Sequence, residues 1–270
     1  MRKYLRFALL MVFAASAVLF LRQFYDKAVG EESYQRALEL AYSSAASSAS
    51  STPSPAPEAA VEKEQVLVPV PVFNDPEMDA MALIDLEALR EINPDVLGWI
   101  RIPGSSIDYP IMRGEDNEFY LEHTWEKEKS SVGSIFLECR NSPDFDDYNT
   151  IVYGHSMNNG SMFGGLKQYN EEYWLKDHPY VYVVSDNGVY RYEIFSIYRT
   201  DVDSPTYGLS FNQAETKANF LVYALEESMH DTGVIPHPDD RILTLSTCSG
   251  NSYTERYVAQ ARMPMQQVQK

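Results

Sequence analysis

The stretch YVYVVSDNGVYRYEIFSIYRT, residues 180–200, decides the fold. Two runs rich in Val, Tyr, Ile and Phe flank Asp186-Asn187-Gly188. β-Branched and aromatic residues fit a pleated surface. An Asn-Gly pair between such runs closes a hairpin, because both residues tolerate the positive φ that a tight turn between twisted strands demands. Outward from this hairpin, runs of the same character recur: VLGWIRI (96–102), SIDYPIM (106–112), GSIFLEC (133–139), TIVYGH (150–155), RILTLSTC (241–248) and RYVAQARM (256–263). Eight short strands punctuated by Gly, Pro and Asn predict a closed β-barrel. Helical spacing predicts a helix over 79–92, where Met81, Leu83, Ile84, Leu86, Leu89 and Ile92 recur before Asn93-Pro94 ends the run. A short helix is predicted near 161–169. A long one is predicted over about 211–230, with Phe211, Ala214, Ala218, Leu221, Leu225 and Met229 along one side. The fold class is therefore mostly β with helical insertions: a barrel of about eight strands, an N-terminal helix, and a long helix between two late strands.

The rest of the chain frames this domain. Its 270 residues are 44% hydrophobic and 23% charged, which is a globular composition. Two cysteines exclude a disulfide-dense scaffold or a four-cysteine zinc site, and the five histidines show no zinc-ligand spacing, so no metal is expected. A net charge of -17 makes the chain a poor partner for phosphate backbones, so nucleic acid is not an expected ligand. Charge is unevenly spread: residues 1–27 hold five basic residues and one acid. Within them FALLMVFAASAVLFL (7–21) is uncharged, preceded by Arg2, Lys3 and Arg6. By the positive-inside rule this predicts a single-pass signal anchor in the plasma membrane, with the body of the chain extracellular; a cleaved signal peptide is the rival reading. Of residues 41–60, seventeen are Ala, Ser or Pro, a composition that cannot offset its ordering entropy by burial. The expected organisation is a basic stub and transmembrane anchor (1–23), a juxtamembrane helix (24–42), a flexible linker (43–74) and a folded domain (75–270).

Three residues suggest chemistry. Cys248 closes the run RILTLSTC beside the polar loop SGNS; His155 closes TIVYGH beside a second polar loop; Arg256 opens the next strand, eight residues after Cys248. Two strands joined by so short a loop run side by side, which brings Cys248 and Arg256 to one rim. A thiol is a weak nucleophile until a base takes its proton, and a histidine can do so and return the proton to a leaving amine. A guanidinium can stabilise the oxyanion of an attacked carbonyl. Each residue also has a plain reading: a buried thiol, a hydrogen-bonded loop histidine, and a surface arginine beside Glu255. Cys139 reads as a second, buried thiol.

The string TLSTC (244–248) with Arg256 in ERYVAQAR resembles the active-site signature of the sortases, cell-surface transpeptidases of Gram-positive bacteria. NTIVYGHSMNNGSMFGGL (149–166) resembles the segment that carries their histidine. NPDVLGWIRIPGSSIDYPIM (93–112), DNEFYLEH (116–123) and the late helix are similar to class B members. The resemblance implies the sortase β-barrel, catalytic roles for Cys248, His155 and Arg256, and a peptide groove lined by Asn117, Leu121, Ser246, Thr247 and Tyr207. It implies cleavage of a C-terminal sorting signal (NPxTx-like or LPxTG-like) after threonine. A thioester on Cys248 and transfer to an amino group of a cell-wall precursor or pilin subunit would follow. No cofactor is implied. A Cys-His peptidase that releases its acyl-enzyme to water, and a non-catalytic adaptor on the same fold, are the competing functions.

Overall fold

The computed structural model describes residues 2–43, 75–248 and 254–264, with Cys248 described through its backbone. Apart from Ser43, the Ala/Ser/Pro-rich linker lies outside the described residues. Eight strands form one closed barrel in the order β1-β2-β3-β4-β7-β8-β6-β5. They are β1 (Val96–Arg101), β2 (Asp108–Met112), β3 (Ile135–Leu137), β4 (Asn149–Tyr153), β5 (Tyr180–Ser185), β6 (Gly188–Asp201), β7 (Arg241–Cys248) and β8 (Glu255–Met263). All eight predicted runs are strands. The opening hairpin is β5–β6, in register from Tyr180↔Glu193 to Ser185↔Gly188, and Gly188 holds a φ of 124° that L side chains rarely adopt. Pairing of β1 with β5 closes the barrel, so no described strand is left as an unpaired edge. Two neighbouring pairs are parallel, β2 with β3 and β4 with β7; the rest are antiparallel.

Among the described residues, five α-helices accompany the barrel: α1 (Arg2–Ala41), α2 (Pro76–Met81), α3 (Leu86–Arg90), α4 (Glu172–Asp177) and α5 (Ala214–Glu227). The single helix expected over 79–92 is two short ones. Asp75 accepts from the Glu77 N–H at 3.1 Å and starts α2, and Asp85 accepts from the Ala88 N–H at 2.9 Å and starts α3. Cap chemistry at Asp85 overrides the apolar spacing that runs across it. The short helix expected at 161–169 is a 3-10 helix, Phe163–Asn170. The face of α5 also differs from expectation. Phe220, Leu221 and Ala224 are buried against Phe195, Tyr198, Ile242 and Val258, whereas Leu225 and Met229 are each 40% exposed.

The single-pass anchor and the extracellular placement built on it are not supported: among the described residues, no helix is long and apolar enough to cross a membrane. The apolar run 7–21 covers only part of the 40-residue α1. Fifteen helical residues rise about 22 Å, against a hydrocarbon core of about 30 Å. The other end of α1 belongs to the barrel. Tyr34, Ala37 and Ala41 are buried in the main core, and the Tyr42 hydroxyl donates to Asp108 at 3.0 Å.

Candidate active site

Strand pairing assembles the site. β4 and β7 run parallel with Tyr153 opposite Ser246, so both end at the same rim of the barrel. β8 returns antiparallel to β7 with Arg256 opposite Cys248, which brings its first residues to that rim. His155 follows β4 by two residues, and the Gly154 N–H donates to the Ser246 carbonyl at 3.2 Å. Connecting segments add to the lining: Asn117, Leu121 of the 3-10 turn Phe119–Leu121, and Tyr207 of the 3-10 turn Pro205–Tyr207.

All seven candidates whose side chains are described line one cleft of about 340 Å³: His155, Arg256, Asn117, Leu121, Ser246, Thr247 and Tyr207. The side chain of Cys248 lies outside the described residues, but its backbone ends β7 beside this cleft, across the strand pair from Arg256. The His155 Nε2–H donates to the Leu121 carbonyl at 2.6 Å. A carbonyl can only accept, so the neutral imidazole carries its lone pair on Nδ1. Arg256 is half-buried and donates to the Glu255 carbonyl at 3.2 Å. The hydroxyls of Tyr207 and Ser246 are 2.8 Å apart. The Thr247 hydroxyl is buried with no hydrogen-bond partner among the described residues.

The sequence analysis does not single out Glu138, which also lines the cleft. Glu138, whose side chain is 1% exposed, accepts from Arg140 Nε at 2.6 Å, from Asn117 Nδ2 at 2.9 Å and from the Tyr153 hydroxyl at 3.0 Å. Burial alone would raise its pKa, but these donors outweigh that and hold it at about 2. One ionised carboxylate therefore holds three cleft residues, Arg140, Asn117 and Tyr153. Asn117 is fixed at both ends of its amide, since Oδ1 accepts the Cys139 N–H at 2.8 Å. Tyr153 in turn lies nearly parallel to Tyr207, with ring centroids 6.4 Å apart. A glutamate at a strand end reads as a solvated charge, and only partners from three separate segments reveal otherwise.

Gly133 was missed too. Its φ is +61°, and a Cβ there would lie 2.6 Å from the Leu121 carbonyl and 2.8 Å from His155 Cδ2. The glycine lets the loop pass directly beneath the imidazole. Cys139 is a free thiol but is half-buried rather than buried. Desolvation and the neighbouring Glu138 carboxylate push its pKa up, away from thiolate character. Among the described residues, no three His, Cys, Asp or Glu side chains converge into a metal-binding group.

Comparison with known proteins agrees with this geometry. The Sortase domain family matches residues 100–264. The chain is 37% identical over 182 residues to sortase B of Listeria monocytogenes, covering 67% of this chain and 72% of that one. Its fold is similar to Clostridium perfringens sortase B, with a TM-score of 0.63 and 35% identity over 67% of this chain and 100% of that chain. It is also similar to a Staphylococcus aureus sortase B-substrate complex, with a TM-score of 0.63 and 32% identity over 66% of this chain and 84% of that one. With barrel, cleft and sequence in agreement, the chain belongs to the sortase family, in its class B, and is a cysteine transpeptidase of the cell wall.

Proposed function

We propose that this enzyme cleaves a C-terminal sorting signal after threonine and passes the new carboxyl end to an amino group of a cell-wall precursor or pilin subunit, with Cys248 as nucleophile. The observation that supports the reading is that the ends of β4 and β7 and the start of β8 share one rim of the barrel, beside a cleft lined by His155 and Arg256. His155 takes the Cys248 thiol proton, and the thiolate attacks the threonine carbonyl carbon. Arg256 stabilises the tetrahedral oxyanion. The C–N bond then breaks, His155 returns the proton to the departing amine, and a thioester remains on Cys248. An acceptor amine attacks that thioester, loses its proton to His155, and leaves as an amide while Cys248 is released. Asn117, Leu121, Ser246, Thr247 and Tyr207 hold the signal peptide, and residues 75–270 form the catalytic domain.

Intact-protein mass spectrometry with NPxTx and LPxTG peptides tests this, with and without an amine acceptor. The expected result is a mass gain on Cys248 that the amine discharges into a joined peptide. Release of the acyl group only to water at saturating amine would make the enzyme a peptidase. Acylation that persists in Cys248→Ala would remove Cys248 as nucleophile.

A further inference from the structure

The segment 119–134 is gripped from two sides. On its inner side it supports His155: the Leu121 carbonyl accepts the Nε2–H at 2.6 Å, and Gly133 lies against the ring edge. On its outer side it is held by α1. The Trp125 Nε1–H donates to the Ser33 carbonyl at 2.9 Å, and the Ser33 hydroxyl donates to Glu126 at 2.6 Å. The Tyr34 hydroxyl donates to the Gly133 carbonyl at 2.6 Å and lies 3.1 Å from the Ser134 hydroxyl. The segment is tied together internally, so a load on one side reaches the other. Ser134 N–H donates to the Tyr120 carbonyl at 2.8 Å, the Ser134 hydroxyl to the His123 carbonyl at 2.8 Å, and Ser130 N–H to the Glu122 carbonyl at 2.8 Å.

From this arrangement we propose that α1 is a positioning element for the His155 imidazole, and that Tyr34 is the residue through which it acts, by pinning Gly133 under the ring. Tyr34 is 6% exposed and stacks edge-on against Tyr109 at 5.3 Å, so its hydroxyl has a fixed bearing. Burial pushes its phenol pKa up, so it remains a donor throughout the working range of a histidine base. Without that donor, Gly133 is free to drift from the ring and the imidazole loses one wall of its seat. A base displaced by a fraction of an ångström loses rate more than affinity. The proposal rests on His155 being the base in the mechanism above.

The test uses the full chain with uniformly 13C-labelled histidine, the His155 ring signals being assigned from the spectrum of His155→Asn. Tyr34→Phe keeps the ring and its contact with Tyr109 but loses the hydroxyl. It is expected to shift the His155 ring resonances and to lower kcat for peptide acylation roughly tenfold with KM within about twofold. Ser33→Ala removes a hydrogen bond from the same interface without touching Gly133. It should leave both the His155 signals and kcat as in wild type. A Tyr34→Phe protein with a lowered Tm but unmoved His155 resonances and full kcat would mean the contact is only structural, and would overturn the proposal. Gly30→Ala offers a second perturbation should Tyr34→Phe not fold, because its methyl would press on Val132 Cγ2 at 2.8 Å, next to Gly133. It too must move the His155 signals, and silence there would also overturn the proposal. A fully active His155→Asn, by contrast, sinks the catalytic reading itself, while the ring resonances still report separately on positioning.

Discussion

Glu138 shows how much one residue can organise. Its carboxylate takes donors from Arg140, Asn117 and Tyr153, and all three line the cleft. In Glu138→Gln the amide nitrogen replaces either Oε1, which accepts from Arg140, or Oε2, which accepts from both Asn117 and Tyr153. Arg140 is the stronger claimant on the remaining oxygen, so Asn117 and Tyr153 lose their shared acceptor. The expected outcome is a KM for the signal peptide raised about fivefold to tenfold, as for loss of one charge-assisted hydrogen bond, with kcat less affected; steady-state kinetics would show it. The same group gives a pH signature. Its folded pKa of about 2 lies below the usual 4.5, so it stabilises the fold fully above pH 4.5, and that stabilisation fades as pH falls toward 2. The Tm advantage of wild type over Glu138→Gln should therefore shrink across that interval; a constant gap from pH 7 to pH 2.5 would contradict the pairing. Next door, Cys139 has a raised pKa and no described role in the cleft, so Cys139→Ala should keep kcat within about twofold of wild type. Arg256→Lys should be severe, about a hundredfold in acylation rate, since an ammonium cannot reproduce the planar fork of a guanidinium.

Among the elements, the strands were legible and the helices less so. Short runs of β-branched and aromatic residues bounded by Gly, Pro and Asn identify β1 to β8, and in β3 and β5 nearly every residue is buried, so composition rather than alternation marks them. RILTLSTC matches β7 residue for residue. Helix α5 illustrates the limit. Apolar residues lie on more than one side of it, and spacing alone selected a side containing Leu221 and Leu225, whereas the barrel chose the one centred on Phe220, Leu221 and Ala224. The choice is tertiary: Phe220 packs edge-on against Phe211 at 4.9 Å and near Tyr148 at 6.0 Å, partners that no local pattern reports. The two leucines separate the readings. Leu221→Ala should cost about 2–4 kcal/mol, as a buried leucine does, and Leu225→Ala within about 0.5 kcal/mol of nothing, as at an exposed site. Equal losses in chemical denaturation would return the helix to the orientation suggested by its sequence.

For the whole molecule, the informative contrast lies within α1. Sequence composition divides its residues between an apolar run and a helix-forming tail, and neither property shows that the tail docks on the barrel. The docking depends on few residues: Tyr34, Ala37 and Ala41 enter the core, and Ser33, Tyr34 and Tyr42 make hydrogen bonds to the domain. Such a surface of one aromatic and two alanines has too weak a hydrophobic signature to be read from periodicity, and becomes visible only once Trp125, Tyr109 and Val132 stand opposite. Toward the N-terminus the helix is different. Met11, Val12, Phe13, Phe20, Leu21 and Tyr25 are each at least 60% exposed, so this half adds little packing to the barrel. Two truncations should therefore behave differently. Removing residues 1–28 leaves every named contact in place, and Tm and kcat should match those of the full chain. Removing residues 1–43 strips the cover from Trp125 and Val132 and withdraws the donor from Gly133. Loss of the buried tyrosine and alanines should cost roughly 3–5 kcal/mol by area, and acylation should slow with it. Differential scanning calorimetry beside peptide acylation rates would decide the matter: equal Tm and kcat for the two truncations would show that the barrel stands without α1, whereas a drop confined to the longer one makes residues 30–41 part of the enzyme.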